Sequence, residues 1–366
     1  MATNSRLRAA AQHKPLTAIR PRASIVIVNY NGREDLARCL RSLAQAGHAD
    51  DEIIVVDNGS SDGSAAMVEA QFPQARLLRS ARNLGFGEGN NLGAAHARGA
   101  YLAFLNPDTE VTPGWLDALL AALDETREAG LATPKILLRE DPQHINTCGN
   151  DLHLTGLALC RGLGQARDEL ADRAAVGAIS GAAFAMRREL FYRLGGFDGS
   201  FFLYMEDTDL SWRARLAGYT CLYVPDAVVY HRYSLRFGPD KTYYQERNRY
   251  LMLLKGLRWS TLLLLLPALL LAEVVTWGYI LLDDRPRWRN KLRAYGYVLR
   301  GWPTLMARRR AAQASRRATD HELLRQTTHR LAYEQTGESL AATLAHWVFD
   351  PLFWLFRQIA LAATRR

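Results

Sequence analysis

The sequence predicts an α/β protein with a mixed, mainly parallel sheet flanked by helices, followed by a C-terminal helical region that associates with a membrane. Two observations predict this class. Over the first 110 residues, short apolar runs rich in β-branched residues alternate with segments of helical periodicity, which is typical of a parallel sheet. Residues 259–282 are almost uninterruptedly apolar, and the segments after them interleave arginine with tryptophan and tyrosine.

Each predicted element follows from its own residue pattern. A strand is predicted where a short apolar run ends at a polar or glycine-rich loop, and a helix where apolar residues recur three or four positions apart. Between 131 and 175 the pattern is weak and indicates short strands and loops. The predicted strands are 24–30, 52–56, 75–79, 101–105, 178–186 and 220–230, and the predicted helices are 33–46, 64–72, a segment ending near 100, 112–127, 187–194 and 206–217.

Charge and composition narrow the class of protein. The 366 residues carry a net charge of +9, but residues 23–231 carry an excess of acid, and the basic excess lies at the two ends of the chain. A uniformly basic domain would indicate nucleic acid, so this distribution argues against a nucleic-acid partner. An acidic body beside a basic, Trp-rich and Leu-rich tail is typical of a protein on an anionic membrane surface, and a solvated charged tail is the alternative. Four cysteines without a CxxC pair argue against structural zinc and fit a reducing compartment.

The apolar run at 259–282 is long enough to cross a bilayer. Pro267 and Glu273 interrupt it, and a central carboxylate disfavours a simple span. Three structures stay open: a single transmembrane helix, a re-entrant or interfacial helix pair, and a buried helix of a soluble fold. Residues 285–310 and 341–362 place aromatic side chains near arginines and predict interfacial segments. No apolar run follows the basic first 22 residues, so we expect no secretory signal there.

Polar clusters follow three of the predicted strands, at 29–32, 57–63 and 106–110. Ligands of parallel sheets bind at the carboxyl ends of the strands, so these clusters predict a binding site. Asp57 can accept hydrogen bonds from a nucleobase or a ribose, and a plain turn is the alternative. A dinucleotide site would need a glycine-rich loop after the first strand, where this chain has NYNG.

Two further groups of residues predict chemistry. Asp108 and His231 each follow a buried strand and together could hold a hard divalent cation, although Asn-Pro-Asp is also a common turn. Glu206 and Asp207 open a predicted helix, where one carboxylate could accept a proton from an attacking hydroxyl. Acids in a first turn also suit the helix dipole, which is the alternative.

Six motifs of the chain occur together in one order. They are VIVNYNG, VVDNGSSDGS, RNLGFGEGNNLGA, FLNPDTEV, SGAAFAMRRELFYRLGGFDGSFFLYMEDTDLSWRARLAGY and VVYH. The motifs are specific together and weak singly. With these motifs in this order, the chain resembles family 2 glycosyltransferases with a GT-A fold, especially the non-processive rhamnosyltransferase-like members, over roughly residues 23–250.

The resemblance implies a role for each matching residue. Asp207 matches the catalytic base of the family's ED motif, and Glu206 is its neighbour. Asp108 matches the last acid of the DxD metal motif, and His231 matches a metal-side or pyrophosphate-side histidine, which implies Mg²⁺ or Mn²⁺ as cofactor. The implied donor-binding residues are Asn29, Tyr30, Asn31, Asp57, Asn58, Asn83, Asn91 and Asn106.

The resemblance also implies a domain organisation, with two departures from the family. Asn106 replaces the first Asp of DxD, and no QxxRW motif follows the base, which argues against a processive synthase. The implied domains are a basic flexible tail at 1–22, a GT-A catalytic domain at 23–250 with a nucleotide-binding half (23–110) and an acceptor half (111–250), and a membrane-associated helical region at 251–366.

The function implied is that of a metal-dependent inverting glycosyltransferase. It would move a sugar, rhamnose by resemblance, from a nucleotide sugar to a hydroxyl of a lipid-diphosphate-linked saccharide in cell-surface polysaccharide synthesis. A non-catalytic nucleotide-sugar-binding or assembly protein of the same fold is the alternative, and a nucleotidyltransferase is disfavoured because NYNGRED is a poor triphosphate cradle. We expect the protein at the cytoplasmic face of the inner membrane, peripheral, monotopic or single-pass. Arg247 and Arg249 would face the lipid diphosphate or headgroups, with ordinary helix packing as the alternative.

Overall fold

The computed structural model describes residues 20–47, 50–233, 239–283, 285–332 and 340–365. The predicted basic tail at 1–22 therefore lies outside the described residues, except for its last three. Arg22, the last of them, forms an ion pair with Asp51 at 2.9 Å beside the start of the first strand.

Four parallel strands form the first half of the sheet. In space they follow the order β3, β2, β1, β4. Their apolar runs are largely buried, as expected for strands covered on both faces. All four strand predictions in this half are confirmed to within one residue at each end. The strands are β1 (Ala23–Asn29), β2 (Glu52–Asp57), β3 (Arg76–Arg79) and β4 (Tyr101–Leu105).

The second half of the sheet is mixed. Its strands are β5 (Thr109–Val111), β6 (Ala129–Leu138), β7 (Ile145–Thr147), β8 (Asn150–Leu152), β9 (Ala158–Cys160), β10 (Ala174–Val176), β11 (Ala183–Arg187) and β12 (Thr220–His231). β11 lies antiparallel between β4 and β6, whereas β6 and β12 pair in parallel. β10 and β5 pair antiparallel with β12, β7 does so with β6, and β8 and β9 form a separate hairpin. The mixed sheet is confirmed, and parallel pairing dominates only in its first half.

Helices cover both faces of this sheet. They are α1 (Arg33–Ala46), α2 (Ser64–Gln71), α3 (Phe86–Ala95), α4 (Trp115–Glu125), α5 (Arg188–Arg193) and α6 (Glu206–Leu216). The apolar side chains of α1, α2 and α4 share one buried cluster with Ile25 and Ile27. Those of α3, α5 and α6 share another with Val26, because alternate side chains of a strand point to opposite faces.

The strand register brings the predicted polar clusters to one edge of the sheet. Asn29, at the end of β1, pairs with Asp57 at the end of β2. β4 runs parallel on the other side of β1 and ends at Leu105. β5 carries Thr109 directly opposite His231 of β12. The three clusters therefore lie along the edge where parallel sheets bind their ligands.

The helices after β12 build a core of their own. They are α7 (Lys241–Gly256), α8 (Trp259–Leu264), α9 (Leu266–Asp283), α10 (Arg289–Arg300), α11 (Trp302–Ala314), α12 (Asp320–Arg325) and α13 (Leu340–Ala363), with a 3-10 turn at Arg285–Arg287. Their buried side chains form one cluster with Trp212 and Leu216 of α6. A Cβ at Gly256 would lie 2.1 Å from the indole nitrogen of Trp212, so α7 packs very closely against α6. The predicted domain boundary between residues 250 and 251 falls inside α7.

The carboxylate that interrupts the apolar run belongs to a buried charged cluster. Glu273 of α9 lies 2.7 Å from Arg249 of α7 and 3.0 Å from Lys291 of α10. It also accepts hydrogen bonds from the hydroxyls of Tyr250 and Tyr295. Burial alone would raise its pKa, but the charge of Arg249 and these hydrogen bonds lower the pKa of Glu273 to about 2. The carboxylate therefore joins three helices, which explains its place in an apolar run.

The apolar run at 259–282 is divided between α8 and α9. Of the helices that the structure describes, none is on its own both long and apolar enough to cross a bilayer. One pair, residues 266–281 and 285–300, reaches that length and composition together, with a bend of 117° between its two parts. The single transmembrane helix, one of the three structures left open by the sequence, is therefore not formed by the described residues.

Candidate active site

Two buried oxygen atoms without hydrogen-bond partners mark the ends of β1 and β2. Asn29 is fully buried and Asp57 is 6% exposed. Oδ1 of each has no hydrogen-bond partner within the described ranges. Buried polar atoms are normally hydrogen-bonded, so two such acceptors at a ligand-binding edge indicate that a ligand supplies the donors.

The loop after β1 holds its polar side chains in fixed orientations. Asn31 adopts a left-handed backbone, with φ of 51°, and its Oδ1 accepts a hydrogen bond from the N–H of Ser61 at 2.8 Å. A Cβ at Gly32 would lie 2.8 Å from Oδ1 of Asn29, so any side chain at position 32 would clash with that oxygen. Tyr30 lies between them with 52% of its surface exposed. Its ring is therefore accessible to a ligand.

Three asparagines predicted to bind the donor are engaged in holding loops. Asn58 accepts a hydrogen bond from the N–H of Leu84 at 2.9 Å and donates one to Oδ1 of Asn83 at 3.0 Å. Asn91 exchanges two hydrogen bonds of 2.9 Å with the backbone of Phe197. Because their amide groups already have these partners, Asn58 and Asn91 position loops around the site, and a direct contact of either with a donor stays a prediction. A donor contact of Asn83 stays a prediction.

Asp108 and His231 face each other across the β5–β12 pair. Nε2 of His231 lies 3.3 Å from Oδ1 of Asp108, an oxygen that has no aligned hydrogen-bond donor among the described residues. Nδ1 of His231 lies 2.8 Å from Oδ1 of Asn146. With Asn146 as acceptor, the ring carries a proton on Nδ1, and this contact fixes the ring with its Nε2 turned toward Asp108. Burial alone would raise the pKa of Asp108, but His231 lowers it.

These residues fit a divalent cation that takes few ligands from the protein. Asn106, at the end of β4, adds a buried Oδ1 that has no partner within the described residues. Carboxylate, imidazole and amide groups suit Mg²⁺ or Mn²⁺, which usually take further ligands from substrate phosphates and water. In the described part of the chain, no cluster of three or more His, Cys, Asp and Glu side chains has the spacing of a metal site.

Asp207 is fixed at the start of α6 by backbone groups. Its Oδ2 accepts a hydrogen bond from the N–H of Gly181 at 2.8 Å, and its Oδ1 accepts one from the N–H of Thr208 at 2.6 Å. Burial raises the pKa of Asp207 above its ordinary value. Glu206 is 6% exposed, and burial together with the charge of Asp207 raises its pKa too. A carboxylate with a raised pKa, held in one orientation, is suited to accept a proton.

A three-residue loop at 180–182 joins the Asp108 side of the site to the Asp207 side. The carbonyl of Ala182 accepts a hydrogen bond from the N–H of Asn106 at 2.9 Å. The next residue back, Gly181, donates to Asp207, and a Cβ there would lie 3.1 Å from the carboxylate. The two groups of predicted catalytic residues are therefore brought together by one short loop.

A strained segment leads into α6. The backbone is left-handed at Phe202, Tyr204 and Met205, with φ of 59°, 65° and 65°. Non-glycine residues rarely adopt this conformation, and it persists only where the surroundings impose it. The carbonyl of Phe202 accepts a hydrogen bond from the N–H of Phe86 at 2.7 Å, and a Cβ at Gly85 would lie 2.3 Å from that oxygen. The strained segment thus packs against the loop that precedes α3.

Asn248 of α7 holds the strained segment in place. Its fully buried Nδ2 lies 3.0 Å from the carbonyl oxygens of Phe201 and Leu203 and 2.7 Å from that of Tyr204. Arg247 donates from Nε to Oδ1 of Asn248 at 2.8 Å and from Nη2 to the carbonyl of Phe201. The sequence analysis missed Asn248, because one asparagine between two arginines in a helix carries no local signal.

Arg247 and Arg249 were predicted to face an acceptor or a membrane, and the structure corrects this. Arg247 is 4% exposed and is bonded to the carbonyls that precede α6. Arg249 is fully buried and forms ion pairs with Glu246 at 2.8 Å and with Glu273 at 2.7 Å. A guanidinium is tolerated inside a protein when its charge is paired or its N–H groups are hydrogen-bonded. Both arginines therefore stabilise the protein interior.

Comparison with known proteins now identifies the family. Residues 24–195 match the model of glycosyl transferase family 2. The chain is 32% identical over 245 residues to the N-acetylglucosaminyl-diphospho-decaprenol L-rhamnosyltransferase of Mycobacterium tuberculosis, which covers 59% of this chain and 78% of the relative. The chain belongs to glycosyl transferase family 2. It is a glycosyltransferase, and the resemblance to the rhamnosyltransferase-like members is confirmed.

Other similar proteins are more distant. A pre-mycofactocin glycosyltransferase of Mycobacterium tuberculosis is 30% identical over 224 residues, which is 60% of this chain and 43% of that protein. S. aureus TarS 1–349 in complex with UDP-GlcNAc superposes with a TM-score of 0.53 at 17% identity, over 93% of this chain and 91% of TarS 1–349. GalNAc-T7 with UDP, GalNAc and Mn²⁺ gives a TM-score of 0.53 at 20% identity, over 64% and 48% of the two chains. These structures support a GT-A type of fold.

Proposed function

We propose that this glycosyltransferase moves a sugar, with rhamnose as the first candidate, from a nucleotide sugar to a hydroxyl of a lipid-diphosphate-linked saccharide. The transfer inverts the anomeric configuration and serves cell-surface polysaccharide synthesis. The mycobacterial relative, named for rhamnosyl transfer to N-acetylglucosaminyl-diphospho-decaprenol, supports the substrate class. The observation that carries the mechanism is the carboxylate of Asp207, with its raised pKa, joined through loop 180–182 to the Asp108 side of the site.

The donor nucleotide binds at the ends of β1 and β2. The unpartnered oxygens of Asn29 and Asp57 accept hydrogen bonds from N–H or O–H groups of the base and ribose. The exposed ring of Tyr30 packs against the base. Neither contact identifies the base or the sugar.

The donor diphosphate binds at the Asp108 side of the site. Asp108, His231 and Asn106 would hold a divalent cation there, and Asn146 orients the histidine ring. A bound Mg²⁺ or Mn²⁺ supplies Lewis-acid stabilisation of the negative charge on the leaving diphosphate. Asn106 contributes a neutral oxygen where the family's DxD motif has a carboxylate. The metal ligands from the protein therefore carry less negative charge, and metal binding depends more on His231.

Asp207 acts as the general base. It removes the proton of the acceptor hydroxyl while that oxygen attacks the anomeric carbon from the face opposite the leaving diphosphate. General-base assistance of this kind is worth about 10²–10⁴-fold in rate. One displacement with one base inverts the configuration, whereas retention by double displacement would need a carboxylate nucleophile close to the anomeric carbon.

The acceptor's lipid places the enzyme at a membrane surface, which we propose to be the cytoplasmic face of the inner membrane. α8, α9 and α13 leave large apolar side chains exposed, and arginines dominate the charge of the C-terminal region. Aromatic and aliphatic exposure beside basic residues is typical of monotopic attachment to anionic lipid. The exposed side chains are Leu263, Leu266, Leu270, Val274, Leu281, Trp347, Val348, Trp354, Leu355 and Ile359.

Transfer by the purified full chain tests this function. A panel of nucleotide sugars is offered with GlcNAc-diphosphate-prenol in detergent, with Mn²⁺, Mg²⁺ or chelator. We expect divalent-dependent consumption of one donor and formation of a glycosylated lipid, lost in Asp207→Asn and kept in Asp226→Asn, whose carboxylate lies on the surface. Full transfer by Asp207→Asn would refute the assigned base. Nucleotide binding without turnover of any donor would refute the acceptor class.

A further inference from the structure

A cavity of about 550 Å³ lies between the C-terminal helices and the loop that leads into α6. Asp198 and Ser200 of that loop form one side, and residues of α7, α10 and α11 form the others. The same loop continues through the strained segment to Asp207, and Arg247 bonds the carbonyl of Ser200 at 2.7 Å. The cavity therefore adjoins the acceptor half of the site and is separate from the ends of β1 and β2.

The cavity has an excess of positive charge. Lys255, Arg293, Arg300 and Arg308 line it, with Asp198 as the single carboxylate of the lining. Asp198 pairs with Lys255 at 2.6 Å and with Arg308 at 2.9 Å. Lys255 also meets Asp209 at 2.7 Å, and Arg293 meets Asp240 at 2.9 Å, so these three cations of the lining already have carboxylate partners. Arg300 is exposed, its Nε donates to the carbonyl of Gly296 at 3.0 Å, and no carboxylate in the described residues pairs with it. An anion with several oxygens would complete these donors, since guanidinium groups bind phosphate in bidentate geometry.

Part of the cavity wall is apolar, with Tyr243, Leu251, Tyr297 and Leu305 in the lining. The two helices α10 and α11, which supply much of the lining, also expose large apolar side chains on their surfaces. Leu292 is 47% exposed, Leu299 is 72% exposed and Trp302 is 40% exposed. A cationic cavity between helices that also expose apolar side chains fits a ligand with a charged phosphate head and a hydrocarbon tail.

We propose that this cavity binds the diphosphate of the lipid-linked acceptor, with Arg300 and Arg308 on the phosphate oxygens and the prenyl chain leaving past Leu299 and Trp302. The inference rests on the proposed function, because only an acceptor of that class carries both groups. It assigns to Arg300 and Arg308 the role that the sequence analysis gave to Arg247 and Arg249. A lipid diphosphate held here would present its saccharide toward the loop that carries Asp207.

Kinetics with two acceptors test the proposal. One acceptor is GlcNAc-diphosphate-prenol, and the other is GlcNAc on a neutral alkyl chain of similar length. For Arg300→Gln and Arg308→Gln we expect the KM for the diphosphate acceptor to rise by about tenfold or more, with the KM for the donor unchanged and the neutral acceptor unaffected. The matched control is Arg310→Gln, an exposed arginine of the same helix that does not line the cavity. An unchanged KM for the diphosphate acceptor, or an equal rise for both acceptors, would overturn the assignment.

A binding measurement separates this inference from the proposed function. Binding of farnesyl diphosphate to the full chain in detergent is followed by tryptophan fluorescence, with farnesol and inorganic diphosphate as comparisons. We expect saturable binding of farnesyl diphosphate that the Arg300→Gln/Arg308→Gln double variant loses and the Arg310→Gln variant keeps. Such binding would stand even if no saccharide acceptor were glycosylated. Binding to phosphatidylglycerol vesicles is measured in parallel. Equal binding of farnesyl diphosphate by the double variant would overturn the inference, and a loss seen only with the vesicles would overturn it in favour of a general lipid-headgroup contact.

Discussion

Removal of the Asn248 side chain should reduce turnover without removing donor binding. Its amide nitrogen lies within hydrogen-bond distance of three carbonyls of the segment that leads into α6, with Phe202, Tyr204 and Met205 in left-handed conformations there. The amide carries two hydrogens, so it fully satisfies two carbonyls at a time. At the lower bound of about 1 kcal/mol for each carbonyl left unpaired, Asn248→Ala destabilises the competent loop by about 2 kcal/mol.

If that free energy lowers the fraction of molecules whose loop places Asp207 correctly, it reduces kcat roughly thirty-fold. Steady-state kinetics with the full chain measure kcat and the donor KM, and calorimetry measures nucleotide affinity, which we expect to stay unchanged because Asn29 and Asp57 lie elsewhere. Asn290→Ala is the matched control, since Asn290 is a buried asparagine that bonds the carbonyl of Pro239 at 2.8 Å, outside this segment. A kcat for Asn248→Ala within threefold of the wild type, or equal losses in both variants, would refute the reasoning.

Three further predictions follow from the charged groups. Glu206→Gln should weaken the pH dependence of stability. Because the pKa of Glu206 is raised in the folded protein, the wild-type free energy of unfolding is highest below the ordinary glutamate pKa and falls as the pH rises through the raised pKa. Identical urea-unfolding profiles of the variant and the wild type from pH 4 to 9 would contradict this. His231→Gln should raise the Mn²⁺ concentration needed for half-maximal transfer, and an unchanged metal titration would remove His231 from the ion site. Glu273→Leu removes a carboxylate that Arg249 and Lys291 share. Thermal unfolding should therefore show a free energy of unfolding lower by about 3–5 kcal/mol. A variant as stable as the wild type would contradict the role of the cluster.

The strands and the site at their carboxyl ends could be predicted because each leaves a local pattern. The buried runs that end at Asn29, Asp57 and Leu105 are short, β-branched and followed at once by polar residues, and parallel strands place such ends at one edge. Asp207 could be placed because its motif opens a helix whose apolar spacing is visible in the sequence. These predictions concern residues close together in the chain or aligned by strand register.

The contacts missed by the sequence analysis join segments that are far apart in the chain. Asn146 orients His231 from 85 residues away, and Arg249 meets Glu273 from 24 residues away. No periodicity indicates whether an arginine turns inward, because a buried arginine and a solvated one look alike in a sequence. This explains the error at Arg247 and Arg249. Their charge is visible in the sequence, but the carbonyl oxygens that Arg247 binds and the carboxylates that pair with Arg249 become their neighbours only after folding.

The central claim is that Asp207 deprotonates the acceptor in a single inverting displacement. The most direct measurement is the anomeric configuration of the product, by NMR of the glycosylated lipid, together with the pH dependence of kcat/KM for the wild type. We predict a configuration opposite to that of the donor and a rate that rises with pH through a pKa above the ordinary aspartate range, since the base must lose its proton first. A product with the donor's configuration, or a pH profile that Asp207→Asn leaves unchanged at wild-type rate, would contradict the account.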